Sequence, residues 1–210
     1  LWAAPMEVKL HGTVDCAGET RLCELLTAVT GLDRKPYTVH EIVMKLTSPS
    51  DGRPHRLSLH HKLHEPTSPW ALRQEGVPLR GRRDPTKPAG ETTPLEAQVR
   101  PLLEAGVMGG RSTNALNFLL TLGAEMEYEL LRQGTQFECT RGGLPILVTV
   151  TRVFTLLEKH KVSTAKAVDK ELWYVEAVAN VTESAYLEAV GVIHKFGGEL
   201  RGAVELSPPP

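Results

Sequence analysis

The chain has 210 residues, a net charge of −1, 41% apolar and 23% charged residues. That composition fits a folded protein able to bury a large core, as one large β domain or two small ones. The near-zero charge excludes a whole-chain pull toward nucleic acid or an anionic membrane, and no apolar run nears the roughly 20 residues of a spanning helix.

Leu1-Trp2-Ala3-Ala4-Pro5 has neither the basic region nor the long apolar region of a signal peptide. Met6 to Val14 alternates, with Met6, Val8 and Leu10 facing one way and Glu7, Lys9 and His11 the other, which predicts a strand. Glu19 to Val29 places Leu22, Leu25, Leu26 and Val29 on one helical stripe, and Gly31 ends it. Tyr37 to Leu46 and Arg56 to Leu63 read as strands, the second with Leu57, Leu59, His61 and Leu63 on one face. Trp70 to Glu75 is a short strand. Residues 78–94 hold four prolines and almost nothing apolar, so a flexible loop is expected, with Arg80, Arg82, Arg83 and Lys87 as a basic cluster. Asp84 and Glu91 dilute that charge and no aromatics interleave, so direct nucleic-acid binding is not expected.

Glu96 to Val107 reads as a strand, and Thr113 to Leu122 as a helix capped by Ser112 and stopped by Gly123. Glu125 to Arg132, Thr135 to Arg141 and Leu144 to Leu157 then predict three strands, folded back at Gln133-Gly134 and Gly142-Gly143. The last is too long for an ordinary strand and suits a sheet that curls or closes into a barrel. Residues 158–170 form a polar connection, and Leu172 to Val181 is another strand. Thr182 or Ser184 caps a helix with Tyr186, Ala189, Val190 and Ile193 on one stripe, ended by Gly197-Gly198; Gly202 to Leu206 reads as a short closing strand. About nine strands and three helices with short connections predict a mainly β or α+β fold. We expect one antiparallel multistranded β-barrel over residues 1–210 with flanking helices.

The chemistry-bearing residues are sparse. Cys16, Cys23 and Cys139 are odd in number and unpatterned, so buried reduced thiols are expected, with neither a disulfide framework nor a zinc cage. His55, His60, His61 and His64 crowd one segment, but Lys62 stands between His60 and His64, so a solvated face is expected there without a metal. Glu125, Glu127 and Glu129 alternate and would share one strand face. Such a row inside a barrel can hold Mg²⁺ or Mn²⁺, with Arg141 and Arg152 available to grip a polyphosphate; this is the case for a metal-dependent triphosphatase. The other reading is a solvent-facing row, because Glu7, Glu41 and Glu176 are single and supply no facing pair. No nucleophile elbow, phosphate loop or dinucleotide fingerprint is present. Thus the residues predict no catalytic site, no metal and no cofactor.

Leu119 to Phe137 (LLTLGAEMEYELLRQGTQF), with the long strand holding Val150 to Phe154, resembles the family of subunit 18 of the Mediator complex. MEVKLHGTV with the Leu22–Val29 helix, HEIVMKL, and Pro69-Trp70-Ala71-Leu72-Arg73 ahead of Gly76 agree in order, from about Glu7 to Leu206. The resemblance implies a multistranded β-barrel with helices near its openings. It implies pairing with a related barrel, Mediator subunit 20, and contact with a C-terminal helix of subunit 8. It further implies a non-catalytic nuclear role in the Mediator head, relaying regulation to RNA polymerase II. The fold it implies is similar to that of triphosphate tunnel phosphohydrolases, whose facing Glu pairs this chain lacks.

Overall fold

The computed structural model describes residues 5–47, 52, 54–65, 67–79, 81–83, 92–107 and 112–209. Its elements are β1 (Met6–Asp15), α1 (Cys16–Thr30), β2 (Lys35–Thr47), β3 (Pro54–Lys62), β4 (Trp70–Glu75), β5 (Arg82–Arg83), β6 (Thr92–Thr93) and β7 (Gln98–Val107). They continue with α2 (Ser112–Thr121), β8 (Glu125–Arg141), β9 (Leu144–Leu156), β10 (Ala165–Ala167), β11 (Leu172–Val181) and α3 (Tyr186–Glu199). Eight strands run in the order β9-β11-β1-β7-β4-β3-β2-β8, and β8 pairs back onto β9. All their pairings are antiparallel, so the sheet is a closed barrel, with three α-helices among the described residues, as the alternation and short connections predicted. β10 pairs antiparallel with the end of β9, and β5 pairs with β6.

The apolar core lies on the outer face of the barrel. Met6, Val8 and Leu10 of β1, Val148 and Val150 of β9, and Val175 and Ala177 of β11 pack with Leu22 and Leu26 of α1 and Ile193 and Phe196 of α3. A second cluster sets Ala115 and Leu119 of α2 against Ile42, Met44, Leu59 and Trp70. Asp15 caps α1 by accepting from the Gly18 N–H at 2.6 Å, and Gly31 closes it at φ +69. Since each strand alternates, the residues opposite this apolar face point into the lumen.

The structure corrects several expectations. Gln133-Gly134 is not a turn: β8 runs straight through it for 17 residues. A Cβ on Gly134 would collide with the Val150 carbonyl oxygen and lie 2.9 Å from Thr151 Cα. This glycine therefore allows β8 and β9 to approach closely, whereas Gly142 and Gly143, at φ +56 and +80, do form the turn. The Gly197-Gly198 pair lies within α3, where a Cβ at Gly197 would press on Leu10 Cδ1 at 3.1 Å. α3 begins at Ala185 without a side-chain cap, because the Thr182 and Ser184 hydroxyls bond each other at 3.1 Å. Gly202 to Leu206 forms no strand, and only Ser207 bridges to His11. Within 158–170 a 3-10 turn (Val162–Thr164) and β10 were not anticipated. Of the 78–94 segment, Arg80 and Lys87 lie outside the described residues, as do the side chains of Arg82 and Arg83.

Candidate functional site

Barrel closure brings together charged residues that look unrelated in sequence. Glu7 on β1 is buried, with Arg73 of β4 at 2.7 Å and Arg100 of β7 at 3.0 Å. Glu176 of β11 pairs with Lys9 of β1 and with Arg132 of β8. Arg132 also approaches Glu41 of β2 at 3.4 Å, and Glu41 lies 3.7 Å from His60 of β3. Arg100 reaches Glu75, and Arg73 reaches Glu104 at 3.0 Å. Arg73–Glu7 and Arg132–Glu176 each link strands separated by one other, so both pairs reach over an intervening strand on the lumen side. A cavity of about 170 Å³ lies among Lys9, Glu41, Ser58, Arg100, Tyr128 and Arg132.

The electrostatics follow from this pairing. Burial would raise the Glu7 carboxyl, but Arg73, Arg100 and Lys9 outweigh it and hold it below the usual carboxylate range. Burial opposes the Glu176 charge as well, yet Arg132 and Lys9 pull that group down to about 2. Arg132 and Arg73 are correspondingly raised, since their carboxylates prevail over desolvation. His60 goes the other way: burial, then the Arg73 and Arg132 charges, push it down to about 3. It is therefore neutral, and its Nε2 lies 2.8 Å from the Ser58 hydroxyl. Every lumen cation named here is already ion-paired, Arg73 and Arg100 sharing Glu7 and Lys9 and Arg132 sharing Glu176, so none of the four is free to grip a polyphosphate.

The glutamate row is broken up. β2 pairs Met44 with Met126 but Val43 with Tyr128, so Glu127 is an extra residue in a bulge. Glu125 consequently shares a face with Lys45, and Glu129 shares the opposite face with Ile42. Glu127 pairs with Arg56 at 3.0 Å. Glu129 is buried outside the lumen, where His40 Nε2 lies 2.6 Å from its Oε1 and the His160 N–H donates to its Oε2 at 3.0 Å. Burial lowers the His40 pKa against the pull of Glu129. Both readings of the row, as half a metal site and as a solvent-facing edge, give way to three separate environments. Arg141 and Arg152 are elsewhere as well. Arg141 donates to the Val29 carbonyl at 2.7 Å, and Arg152 lies 4.5 Å over the Trp173 ring with Nη2 2.9 Å from Cys16 Sγ.

The histidine segment is not one solvated face, since only His55 of the four is exposed. His60 enters the lumen, His61 stacks on Trp70 at 5.0 Å, and the buried His64 ring accepts from the Thr38 N–H at 3.0 Å. Among the described residues no group of three His, Cys, Asp or Glu could hold a metal. Cys23 and Cys139 are buried free thiols, with Cys23 pushed up to about 11 by burial and then by Glu19, but Cys16 is exposed, contrary to expectation. The lumen network itself was missed from sequence. Its only signal was a charge at every second position of otherwise apolar strands, as in Glu7 and Lys9 between Met6, Val8 and Leu10.

Comparisons with known proteins agree with this architecture. The family model described as Med18 protein matches residues 49–209. The chain is 27% identical over 205 residues to the Mediator of RNA polymerase II transcription subunit 18 of Arabidopsis thaliana, covering 97% of this chain and 87% of that protein. A chain of the Schizosaccharomyces pombe Mediator head module superposes with a TM-score of 0.69 at 15% identity, over 97% of this chain and 98% of that one. The PH1819 protein of Pyrococcus horikoshii OT3 shares the fold at a TM-score of 0.57 and 15% identity, over 96% of this chain and 93% of its own. With well over half of its residues matched by the family model, the chain belongs to the Med18 protein family.

Proposed function

We propose that this chain is a non-catalytic interaction subunit of the Mediator head, working in the nucleus. Its family makes it a Mediator subunit with a role in transcription. The single observation that favours scaffolding over catalysis is the self-neutralised lumen, where Glu7 and Glu176 occupy the cations a polyanionic substrate would need. Its partners in this reading are a related barrel, Mediator subunit 20, and the C-terminal helix of Mediator subunit 8. Further contact is with the rest of the head, and contact with RNA polymerase II is indirect. The exposed apolar side chains Phe118 and Leu122 near the end of α2 suit a subunit with protein neighbours.

Co-expression with those two subunits tests the reading. The expected result is one stoichiometric complex in size-exclusion chromatography, and a chain that elutes alone overturns it. A second arm tests chemistry: with Mn²⁺, the purified chain should release no phosphate from inorganic triphosphate or ATP. Turnover that disappears in Glu41→Gln or Arg132→Met would establish an enzyme instead.

A further inference from the structure

The flank of β1 facing away from β11 is only partly covered. β7 pairs with Met6 to Lys9, and Ser207 pairs with His11 through two bonds, each 2.9 Å. Beyond His11, no described strand pairs on that flank of β1. Backbone groups alternate sides along a strand, so if His11 points its N–H and C=O away from β11, Thr13 does too. Those two groups open into a groove of about 620 Å³, walled by Gly12 to Asp15, by Gly18 and by Gly202 to Glu205. Its charged lining is acidic, Asp15 and Glu205, with no Lys or Arg. Asp15 is engaged with the Gly18 N–H, while Glu205 has no ion pair among the described residues.

We infer that the β1 edge at Thr13 is a docking site for an extended, basic segment of a partner protein. The segment adds as a short strand, exchanging two backbone hydrogen bonds with Thr13 and setting a Lys or Arg against Glu205. Two observations carry this. The edge already accepts a strand-like residue, since Ser207 makes the same bond pair with His11 one step away. The free acid on the opposite wall fixes the charge of what enters. Backbone pairing supplies affinity and the side chain selects the occupant, the general logic of strand addition. The inference rests on the reading of this chain as an interaction subunit and names a surface that reading does not.

The test uses the full ¹⁵N-labelled chain and a capped heptapeptide of alternating valine and lysine. Saturable shifts centred on the Thr13 amide, with at least tenfold slower exchange of that proton, are expected. A valine–glutamate peptide should bind at least tenfold more weakly, and a valine–lysine peptide N-methylated at alternate amides should not bind. Thr13→Pro removes a donor that points into the groove and leaves the β11 ladder intact. It should weaken binding at least tenfold at unchanged Tm, and Glu205→Lys at least fivefold. An unperturbed Thr13 amide, or equal binding of the N-methylated or glutamate peptide, overturns the proposal. So does a Thr13 amide already protected in the free chain, which would mean its own backbone fills the groove. A concentration-dependent dimer abolished by Thr13→Pro would replace the partner with a second copy. Co-purification of the unaltered chain with the two head subunits is scored separately, so a failed groove and a failed subunit reading give different results.

Discussion

Glu176→Gln tests whether the lumen charges hold the barrel together. Its carboxylate sits between Lys9 and Arg132 and is largely shielded from solvent, at 17% side-chain exposure. The drop from an ordinary 4.5 to about 2 is equivalent to about 3 kcal/mol of folding stability at neutral pH. Because the folded value is depressed, this contribution is complete above pH 4.5 and is lost as pH falls through about 2. Between pH 7 and pH 3 the wild-type chain should lose roughly 2 kcal/mol from this group alone. Glutamine keeps the shape and removes the charge, leaving Lys9 and Arg132 opposed by Glu41 only in part. The loss at pH 7 should therefore be about 3–5 kcal/mol, the range for a broken buried pair. Urea unfolding at pH 7 and pH 3 measures both quantities. The variant should be less stable at pH 7 and should fall less on acidification, by roughly 2 kcal/mol. Parallel behaviour of the two chains across that interval would refute the argument. A Glu176→Gln, Arg132→Met double variant should recover part of the loss, since removing the guanidinium together with the carboxylate leaves no buried Arg unpaired.

His60→Gln should reduce acid sensitivity between pH 6.5 and about pH 3, because a histidine held at about 3 in the fold destabilises the native state as the unfolded chain protonates. The reading is a pH series of Tm. Gly134→Ala should cost at least about 3 kcal/mol, since the new methyl meets the Val150 backbone rather than a movable side chain; denaturant titration measures it. Asp15→Ala should cost about 1 kcal/mol by leaving the start of α1 uncapped, with the loss seen first as faster amide exchange in Gly18. Phe118→Ser should leave Tm unchanged, because the ring is 61% exposed, and should weaken co-purification with head subunits if α2 is part of their interface.

Local periodicity disclosed most of the strand frame. Alternation, β-branched runs and turn residues together placed β1, β2, β3, β4, β7, β9 and β11 within a few residues, and Gly31 marked the end of α1. What sequence could not show was set by tertiary approach. Gly134 reads as a turn residue because glycine serves tight turns and close backbone crossings equally, and only the position of Val150 separates the two. The Glu125 to Glu129 row failed for a related reason. A bulge opposite Val43 and Met44 breaks the two-residue period, and no local residue type announces it. His60 and His64, four apart, would share one face of a continuing strand, but β3 ends at Lys62 and His64 belongs to the turn beyond.

The lumen and the outer face have exchanged their ordinary roles, and this bears on function. A small barrel usually fills its interior with apolar side chains. This one places Glu7, Lys9, Arg73, Arg100, Arg132 and Glu176 inside and sends Met6, Val8, Leu10 and Val175 outward. The apolar faces then depend on α1, α2 and α3 for cover, and the helices become part of the barrel's stability. Where that cover is thin, as beside Phe118 and Leu122, a protein neighbour is the natural way to complete it. The lumen, by contrast, pairs its charges internally, Glu7 with Arg73 and Arg100, and Glu176 with Lys9 and Arg132. The same alternation that makes the interior self-sufficient leaves the exterior in need of partners, and that asymmetry argues for a subunit of an assembly over an enzyme with a tunnel.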